Sequence, residues 1–542
     1  MFEPDRVRSL WELMQYRAEL SPRAPMFHDE TTTGSGRSVS FGEVRDRALR
    51  LAAGFHGLGI GAGTRVLWQL PTWPLTVAVS LALARLGAVQ IPVLHLHRER
   101  EVGFALRQSA ATYAIVPGEW RGHDYAAMLR KAAPDGVRVL SVADGLPEAP
   151  PDGSVPGFVP PGSTPTWIYY TSGTTAEPKG VEHTDGSLLA GGIGLATALG
   201  TTDADTGSVA FPFAHVAGPD YVITMLLSGF PAVLLDVFEP AAAVAAYRRH
   251  HVTTAGGSTA FYQAFLDEAR RRRAHAGPGP ADPLIPTLRL LTGGGAPLPP
   301  ELYHAARREL ECAVVHGYGM TECPMITMGT PYDTDEQLAH TVGKPVTGAR
   351  VRIARPDGSA AEPGEAGEIT VRGPMVCRGY TDPALTAEVF DADGYFRTGD
   401  LGLLRTDGHL VITGRLKDII IRKGENISAP EIEELIRAHP AVGEVAVIGL
   451  PDRERGERVC AVVTPAAAGP GPGSGPVPGP GAGALTLDAL TAHLRRAGLM
   501  PQKLPEQLEV LDALPRGGPL GKVLKGALRE RFGGTEPPAG VR

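Results

Sequence analysis

The most informative segment of this chain is Tyr170-Thr171-Ser172-Gly173-Thr174-Thr175-Ala176-Glu177-Pro178-Lys179-Gly180-Val181. The pattern from Thr166 to Tyr170 predicts a strand, which leads into a loop of hydroxyl residues and glycine. Backbone N–H groups and hydroxyls in such a loop can surround phosphate oxygens, and Lys179 adds positive charge. The spacing is not that of a Walker A loop, and a plain polar turn is the alternative interpretation. The stretch therefore indicates a phosphate site that follows a strand.

Upstream of this loop, helical and strand patterns alternate. Phe41 to Leu58 and Leu75 to Leu86 carry apolar residues at helical spacing, and they predict two helices. Thr64 to Leu70 and Ala88 to Val93 each follow one of these helices and predict strands. The alternation predicts an α/β fold with a mainly parallel sheet that is covered by helices on both faces.

Bulk properties exclude several classes of protein. A chain of 542 residues predicts two or more domains, and a formal net charge of −7 argues against a nucleic-acid partner. The most apolar stretch, Leu75 to Ala84, is broken by Arg85 and is too short to insert into a membrane. The four cysteines have no zinc-site spacing, and the N-terminus has no signal pattern, which indicates a cytoplasmic protein.

The C-terminal part carries the pattern of a small second domain. Val459 to Val463 predicts a strand, and Leu487 to Ala497 and Val523 to Phe532 predict helices. Residues 469–483 are almost entirely Gly, Pro, Ala and Ser, which predicts a disordered surface loop, and residues 533–542 predict a disordered tail. We expect an N-terminal domain over residues 1–413 and a C-terminal domain over residues 414–542.

Four further segments carry residues with ligand-binding chemistry. The first contains Tyr318, whose ring can stack on a base, Thr321, which can contact phosphate, and Glu322, whose carboxylate can hold Mg²⁺. In the second, Asp400 follows a Gly turn and can accept hydrogen bonds from ribose hydroxyls. The four segments are His316-Gly317-Tyr318-Gly319-Met320-Thr321-Glu322, Tyr395-Phe396-Arg397-Thr398-Gly399-Asp400-Leu401-Gly402, Gly414-Arg415-Leu416-Lys417-Asp418 with Lys423-Gly424-Glu425, and Leu514-Pro515-Arg516 with Gly521-Lys522-Val523.

Together with the loop at 170–181, these segments resemble, in order and separation, the motifs of the adenylate-forming superfamily. That superfamily includes acyl- and aryl-CoA synthetases, the adenylation domains of peptide synthetases, and firefly luciferase. The resemblance extends from about residue 10 to about residue 532. It implies a large N-terminal domain of mainly parallel βαβ sheets plus a distorted β-barrel, and a small, mobile α+β C-terminal domain.

The resemblance also implies roles for matching positions. It implies phosphate binding by Thr171, Ser172, Gly173, Thr174, Thr175 and Lys179, and adenine and ribose binding by Gly294, Gly295, Ala296, Pro297, Tyr318, Gly319, Asp400 and Arg415. It implies that Thr321 touches phosphate, that Glu322 holds Mg²⁺, that Lys522 is the catalytic lysine and that Lys417 is the hinge. The chain departs from the family at Ala176, where a glycine is usual; a methyl group there is tolerated only if the loop keeps an ordinary backbone conformation.

The sequence identifies the residues of the acid pocket less clearly than those of the nucleotide site. Phe211 to Gly218 resembles the segment in which relatives place a wall beside the carboxylate, and it offers His215 as a catalytic gate to the acid. A single histidine is otherwise more often structural. The expected lining, Phe211, Phe213, His215, Tyr221, Thr259 and Phe261, suits an apolar or aromatic acid.

The resemblance implies an AMP-forming acid–thiol ligase of the acyl-CoA synthetase type. Such an enzyme uses ATP and Mg²⁺ to convert a carboxylic acid to an acyl-adenylate, transfers the acyl group to coenzyme A, and releases AMP and pyrophosphate. The same adenylation with a carrier protein, an amine, or nitrite and an arylamine (an ATP-dependent diazotase) is the alternative. A third interpretation, an inactive nucleotide sensor or scaffold, is disfavoured because Glu322, Asp400, Arg415 and Lys522 are all present. We expect a monomer or a homodimer.

Overall fold

The computed structural model describes residues 7–34, 36–151, 153, 155–171, 178–276, 282–422, 425–452, 456–466, 485–497, 499, 501–517 and 522–533. The chain separates into two compact units, one of Met1–Arg352, Thr370–Arg397 and Arg405–Leu410, the other of Ile353–Ile369, Thr398–Leu404 and Val411–Arg542. The expected domain boundary at residue 413 stays a prediction. The predicted loop over residues 469–483 and the predicted tail beyond Gly533 lie outside the described residues.

The helices, in chain order, are α1 Leu10–Leu20, α2 Phe41–Gly57, α3 Pro74–Leu86, α4 Glu99–Ser109, α5 Tyr125–Ala132, α6 Asp185–Leu199, α7 Ala217–Ser228, α8 Pro240–Arg249, α9 Thr259–Ala276, α10 Pro300–Leu310, α11 Asp335–His340, α12 Pro383–Val389, α13 Ala429–Arg437, α14 Leu487–Arg496 and α15 Lys525–Phe532. Short 3₁₀ turns occupy Leu416–Asp418 and Pro501–Lys503.

The strands, in chain order, are β1 Pro25–Asp29, β2 Ser38–Ser40, β3 Arg65–Trp68, β4 Val89–Pro92, β5 Tyr113–Val116, β6 Glu119–Trp120, β7 His123–Asp124, β8 Arg138–Ser141, β9 Trp167–Thr171, β10 Lys179–His183, β11 Gly207–Val209, β12 Ala232–Leu234, β13 Thr254–Gly257, β14 Leu290–Gly294, β15 Ala313–Met320, β16 Cys323–Met328, β17 Lys344–Pro345, β18 Arg350–Ala354, β19 Gly367–Arg372, β20 Gly379–Tyr380, β21 Phe396–Leu404, β22 Leu410–Arg415, β23 Ile419–Arg422, β24 Glu425–Ser428, β25 Val442–Asp452, β26 Gly456–Pro465, β27 Gln507–Val510, β28 Arg516–Gly517 and β29 Lys522–Val523.

The largest sheet has the order β20-β10-β9-β4-β3-β5-β8. Its pairs from β9 to β8 are parallel, whereas β9-β10 and β10-β20 are antiparallel. The strands β4 and β5 are buried along their whole length, as expected of strands covered on both faces. The predicted α/β fold with parallel sheets and a separate C-terminal region is confirmed.

The early helices begin and end where the sequence signals predict. At the start of α2, Ser40 accepts the N–H of Glu43 while the Glu43 carboxylate accepts the N–H of Ser40, which is a capping box. Helix α3 has Pro74 in its first turn, and it ends at Gly87, which adopts a left-handed conformation with φ of 67°.

A second sheet has the order β13-β14-β15-β16-β17. It contains Gly294, at the end of β14, and Tyr318, in β15. Strands β13, β14 and β15 are parallel, and β16 returns antiparallel to β15. Strand β15 continues through His316 to Met320, and β16 supplies hydrogen-bond partners for its last residues. Tyr318 and Gly319 therefore belong to a strand.

Two further sheets have four strands each, in the orders β11-β12-β1-β2 and β18-β19-β21-β22, and β6-β7 and β28-β29 form two-stranded pairs. In the second unit, β24-β23-β26-β25 form a sheet to which β27 adds beside β26. Its apolar core includes Ile432 and Ile436 of α13 and Leu490 and Leu494 of α14. Among the described residues, no helix is both long and apolar enough to cross a membrane.

Candidate functional site

The β9–β10 hairpin positions the two ends of the predicted phosphate loop. Thr171 ends β9 and pairs with Lys179, which begins β10. Ser172, Gly173, Thr174 and Thr175 lie outside the described residues. The structure therefore brings the flanking hydroxyl and ammonium residues to one end of the hairpin.

Glu322, the predicted magnesium ligand, is held by a tyrosine that the sequence did not single out. Its side chain is 7% exposed, and its Oε1 accepts a hydrogen bond of 2.7 Å from the Tyr380 hydroxyl. The Lys179 ammonium lies 5.0 Å from the centre of the Tyr380 ring. Burial and the nearby Glu322 carboxylate raise the pKa of Tyr380, so its hydroxyl stays the donor. Tyr380 thus lies between a cation and a carboxylate: the pairing of β20 with β10 brings its ring to Lys179, and its hydroxyl donates to Glu322.

Thr321 is held through its backbone by a buried histidine. The Thr321 carbonyl accepts a hydrogen bond of 2.7 Å from His183 Nε2, and His183 Nδ1 lies 2.9 Å from the Ser187 hydroxyl. These partners assign the proton to Nε2. Burial lowers the pKa of His183 to about 4, so the ring is neutral at physiological pH. His183 follows Lys179 by four residues in β10, and this proximity to the loop was the available signal.

The predicted adenine segment lies at the end of β14. Gly294 pairs with Gly317 of β15, and Gly295 adopts φ of 75°, which favours glycine. His316 Nε2 donates a 2.8 Å hydrogen bond to the Ala296 carbonyl, and burial lowers the pKa of His316 to about 4. Tyr318 lies two residues further along β15 and is buried. Pro297 follows Ala296 beyond β14, and Gly319 has the carbonyl of Pro324 so close that a side chain would collide with it.

His215 and Thr321 line one small cavity of about 70 Å³, together with Thr171. His215 Nδ1 accepts a 3.2 Å hydrogen bond from the N–H of Ala217, at the start of α7. His215, the predicted gate, therefore lines the same cavity as Thr171 at the end of β9 and Thr321, the predicted phosphate contact.

Two aromatic side chains lie beside Gly257, the last residue of β13. A side chain at Gly257 would approach the rings of Phe261 and Phe211, at 3.1 Å and 3.4 Å. Thr259 is the first residue of α9, two positions before Phe261. The rings of Phe211 and Phe261 therefore both lie beside Gly257. Thr259 is their neighbour only along the chain, between Gly257 and Phe261.

Two predicted lining residues pack into the core. Phe213 is 2% exposed and stacks on Trp68, with ring centroids 5.7 Å apart. The Tyr221 hydroxyl accepts the N–H of Ser208 at 3.3 Å, and burial raises the pKa of Tyr221. Both side chains therefore belong to the buried core, and their assignment to the acid pocket stays a prediction.

Asp400, Arg415 and Lys522 form a group in the second unit. Arg415 Nε lies 2.7 Å from Asp400 Oδ1, and Asp400 is 4% exposed. Desolvation lowers the pKa of Lys522, the Arg415 guanidinium lowers it further, and the Asp400 carboxylate raises it. The three predicted residues are therefore close together. The Lys417 backbone lies in the 3₁₀ turn after β22, and Lys423 and Gly424 lie outside the described residues.

The donor set is compatible with magnesium. No cluster of three or more His, Cys, Asp or Glu arranged for a metal occurs in the part of the chain that the structure describes. Mg²⁺ commonly binds through one or two carboxylates and completes its shell with water and substrate phosphates. A single buried carboxylate at Glu322, oriented by Tyr380, fits that requirement.

Comparison with known proteins establishes the family. The family model described as AMP-binding enzyme matches residues 14–381, and the model of the AMP-binding enzyme C-terminal domain matches residues 431–519. The chain belongs to the AMP-binding enzymes. This confirms the adenylate-forming superfamily, near acyl- and aryl-CoA ligases, and makes the chain an AMP-forming ligase that activates its substrate by adenylation.

Named relatives include enzymes that differ in their acceptor. The salicyl-AMP ligase / salicyl-S-ArCP synthetase of Mycobacterium tuberculosis is 34% identical over 91% of this chain and 86% of its own. A feruloyl-CoA synthase of an Amycolatopsis species is 34% identical over 95% of this chain and 98% of its own. The o-succinylbenzoate coenzyme A synthetase of Bacillus subtilis, solved with ATP and magnesium ion, is 26% identical and superimposes with a TM-score of 0.79 over 96% of this chain and 98% of its own.

Proposed function

We propose that this enzyme joins a carboxylic acid to AMP and then transfers the acyl group to the thiol of coenzyme A. In the first step a carboxylate oxygen attacks the α-phosphorus of ATP, and the bond to pyrophosphate breaks. In the second step the thiol sulfur attacks the acyl carbon, the thiol loses its proton, and AMP leaves. The observation that carries the proposal is the group of Lys179, Tyr380 and Glu322 beside the end of the β9–β10 hairpin where Thr171 pairs with Lys179.

The residues supply charge and position for adenylation. Glu322 would hold Mg²⁺, which neutralises phosphate charge when bound. Lys179 supplies a cation beside the predicted phosphate loop, and Thr321 offers a hydroxyl at the same cavity as His215. In the second unit, Asp400 would accept the ribose hydroxyls, and Lys522 would supply a cation to the phosphate whose charge rises during attack.

The acid is proposed to be aromatic. Phe211 and Phe261 provide two rings beside Gly257, which removes a side chain that would fill the space between them. Aromatic rings favour other rings in offset or edge contacts. The feruloyl and salicyl relatives carry the names of aryl acids, which supports this class of substrate.

Coenzyme A is the first candidate acceptor, because the feruloyl-CoA synthase matches over nearly the full length of both chains. A carrier protein is the second candidate, favoured by the equal identity to the salicyl-S-ArCP synthetase. The alternative with nitrite draws no support from these two relatives, whose names are those of enzymes acting on carboxylic acids.

Acid-dependent exchange of labelled pyrophosphate into ATP tests the first step. The panel contains benzoates, cinnamates, fatty acids and nitrite, and we expect the strongest exchange with an aryl acid. The best acid is then incubated with coenzyme A or with a pantetheinylated carrier protein, and the thioester is identified by mass spectrometry. Exchange with nitrite alone would contradict the proposal, and thioester on the carrier alone would replace coenzyme A as acceptor.

A further inference from the structure

A second cavity, of about 440 Å³, lies beside the residues that support Thr321 and Glu322. It shares no lining residue with the small cavity at His215. Its volume falls in the range of ligand pockets, roughly 300–1,000 Å³. The residues that matter for its chemistry are Ser163, Ser187, Arg372, Cys377, Arg378 and Phe390.

The lining of this cavity is positively charged. It contains two arginines, and no Asp or Glu is among its lining residues within the described ranges. Arg372 Nη1 donates to the carbonyl of Asp393 at 3.0 Å, and the Arg378 guanidinium makes no hydrogen bond or ion pair with any residue that the structure describes. By contrast, Arg352 on the preceding strand pairs with the carboxylates of Asp391 and Asp393. Two guanidinium charges at one cavity thus lack a carboxylate partner among the described residues.

The donors suit a phosphate better than a carboxylate. A phosphate monoester carries roughly −1.5 to −2 charges at neutral pH and offers three acceptor oxygens. Arginine recognises such oxygens with paired N–H donors, and the Ser163 hydroxyl adds a further donor. Phe390, Pro374 and Val376 provide apolar surface for an organic group. We propose that this cavity binds a small organic phosphate monoester.

The position of the cavity connects it to the candidate active site. Ser187 lies 2.9 Å from His183 Nδ1, and His183 holds the Thr321 carbonyl. The Cys377 N–H donates a 2.8 Å hydrogen bond to the Glu322 carbonyl. A ligand in the cavity would therefore touch the residues that fix the turn between β15 and β16.

Calorimetric titration of the full chain with phenyl phosphate tests the proposal. We expect saturable binding of one equivalent to the wild type. Arg378→Gln should weaken binding about tenfold and the double variant R372Q/R378Q on the order of 100-fold, because each removes a charged hydrogen-bond donor. R350Q is the matched control, since Arg350 is exposed and does not line the cavity. Titrated with ATP and Mg²⁺, all variants should match the wild type within about twofold.

Equal affinity for phenyl phosphate in the wild type and in R378Q would overturn the proposal, because the phosphate would then bind elsewhere, as in the nucleotide site. Binding to the wild type that does not saturate would overturn it as well. The melting temperature of each variant shows whether it is folded, and the single variant keeps the Arg372 contact to Asp393 intact. Inorganic phosphate, titrated in parallel, should bind more weakly than phenyl phosphate if the apolar wall is used.

Discussion

At the scale of single residues, Tyr380 is a positioning residue for Glu322. Its hydroxyl donates 2.7 Å to Glu322 Oε1, and removing partners of this kind typically weakens metal binding by one to two orders of magnitude. We expect Tyr380→Phe to raise the Mg²⁺ concentration needed for half-maximal pyrophosphate exchange about tenfold. The maximal rate at saturating Mg²⁺ should change less.

The control for Tyr380→Phe is Tyr332→Phe, because Tyr332 is 92% exposed and loses only a surface hydroxyl. Magnesium titrations of the two variants and the wild type are compared at one ATP concentration. An unchanged Mg²⁺ requirement in Tyr380→Phe would show that Glu322 does not depend on this hydrogen bond.

A second residue-scale prediction concerns pH. An unfolded histidine binds a proton below about pH 6.5, whereas folded His183 does so only near pH 4. The unfolded state therefore binds more protons in this window, and stability falls as the pH falls through it. The contribution of a fully buried histidine with this pKa is at most roughly 3 kcal/mol. We expect urea unfolding to show this loss between pH 6.5 and 4.

His183→Gln keeps an N–H donor for the Thr321 carbonyl and removes the titrating ring. The pH dependence of its unfolding free energy should be shallower by about one proton between pH 6.5 and 4. His340→Gln, at an exposed position, is the matched control. If the slopes of His183→Gln and the wild type coincide, the neutral buried state of His183 is wrong.

At the scale of elements, the contact between α6 and α7 depends on glycine. A side chain at Gly192 would lie 2.4 Å from Ile223 Cγ2 and 3.0 Å from the Asp220 carbonyl. His215 lies two residues before α7, and α6 begins two residues after β10, so a shift of either helix would displace residues of the candidate site. Gly192→Ala should destabilise the protein by about 1–3 kcal/mol, measured by denaturant unfolding.

Gly186→Ala on the same helix is the matched control. The nearest atom to a methyl group there is Thr184 Oγ1 at 3.6 Å, which is an ordinary contact. Alanine is a better helix former than glycine, so this variant should be neutral or more stable by up to about 1 kcal/mol. Similar unfolding free energies for both variants would contradict the close-packing argument.

At the scale of the whole molecule, we expect Lys522 to act in one half-reaction. Its neighbours Asp400 and Arg415 are the residues predicted to hold the ribose, so the same hypothesis assigns the Lys522 ammonium to the nucleotide. Lys522→Ala should slow pyrophosphate exchange on the order of 10³-fold, as expected for a charge that stabilises the transition state. Thioester formation from a supplied acyl-adenylate should fall much less, and an equal loss in both assays would make Lys522 structural.

The proposed hinge gives the complementary experiment. Proline fixes φ and removes a backbone donor, so Lys417→Pro restricts the 3₁₀ turn between β22 and β23. If reorientation at Lys417 separates the two half-reactions, pyrophosphate exchange should persist while thioester formation collapses. Retention of both activities would exclude a hinge at this residue.

Much of this molecule could be predicted from local sequence. The helices α2, α3 and α14 and the strands β3, β4 and β9 follow from periodicity, because helix and strand place apolar residues at different spacings. The nucleotide chemistry followed from five motifs in order, of which Glu322, Asp400, Arg415 and Lys522 lie in the described residues. These elements and site residues could be predicted because each depends on a short continuous segment of the chain.

The side chains that support the site could not be predicted from the sequence, because they come from distant parts of the chain. Tyr380 reaches Glu322 across 58 residues, and His183 reaches Thr321 across 138, because the pairing of β20 with β10 and the burial of β10 bring them together. The same long-range packing placed the Phe213 ring against Trp68, a residue from a distant part of the chain. Local periodicity specifies which residues alternate on a strand, but the partner of a buried polar atom depends on which distant strand lies beside it.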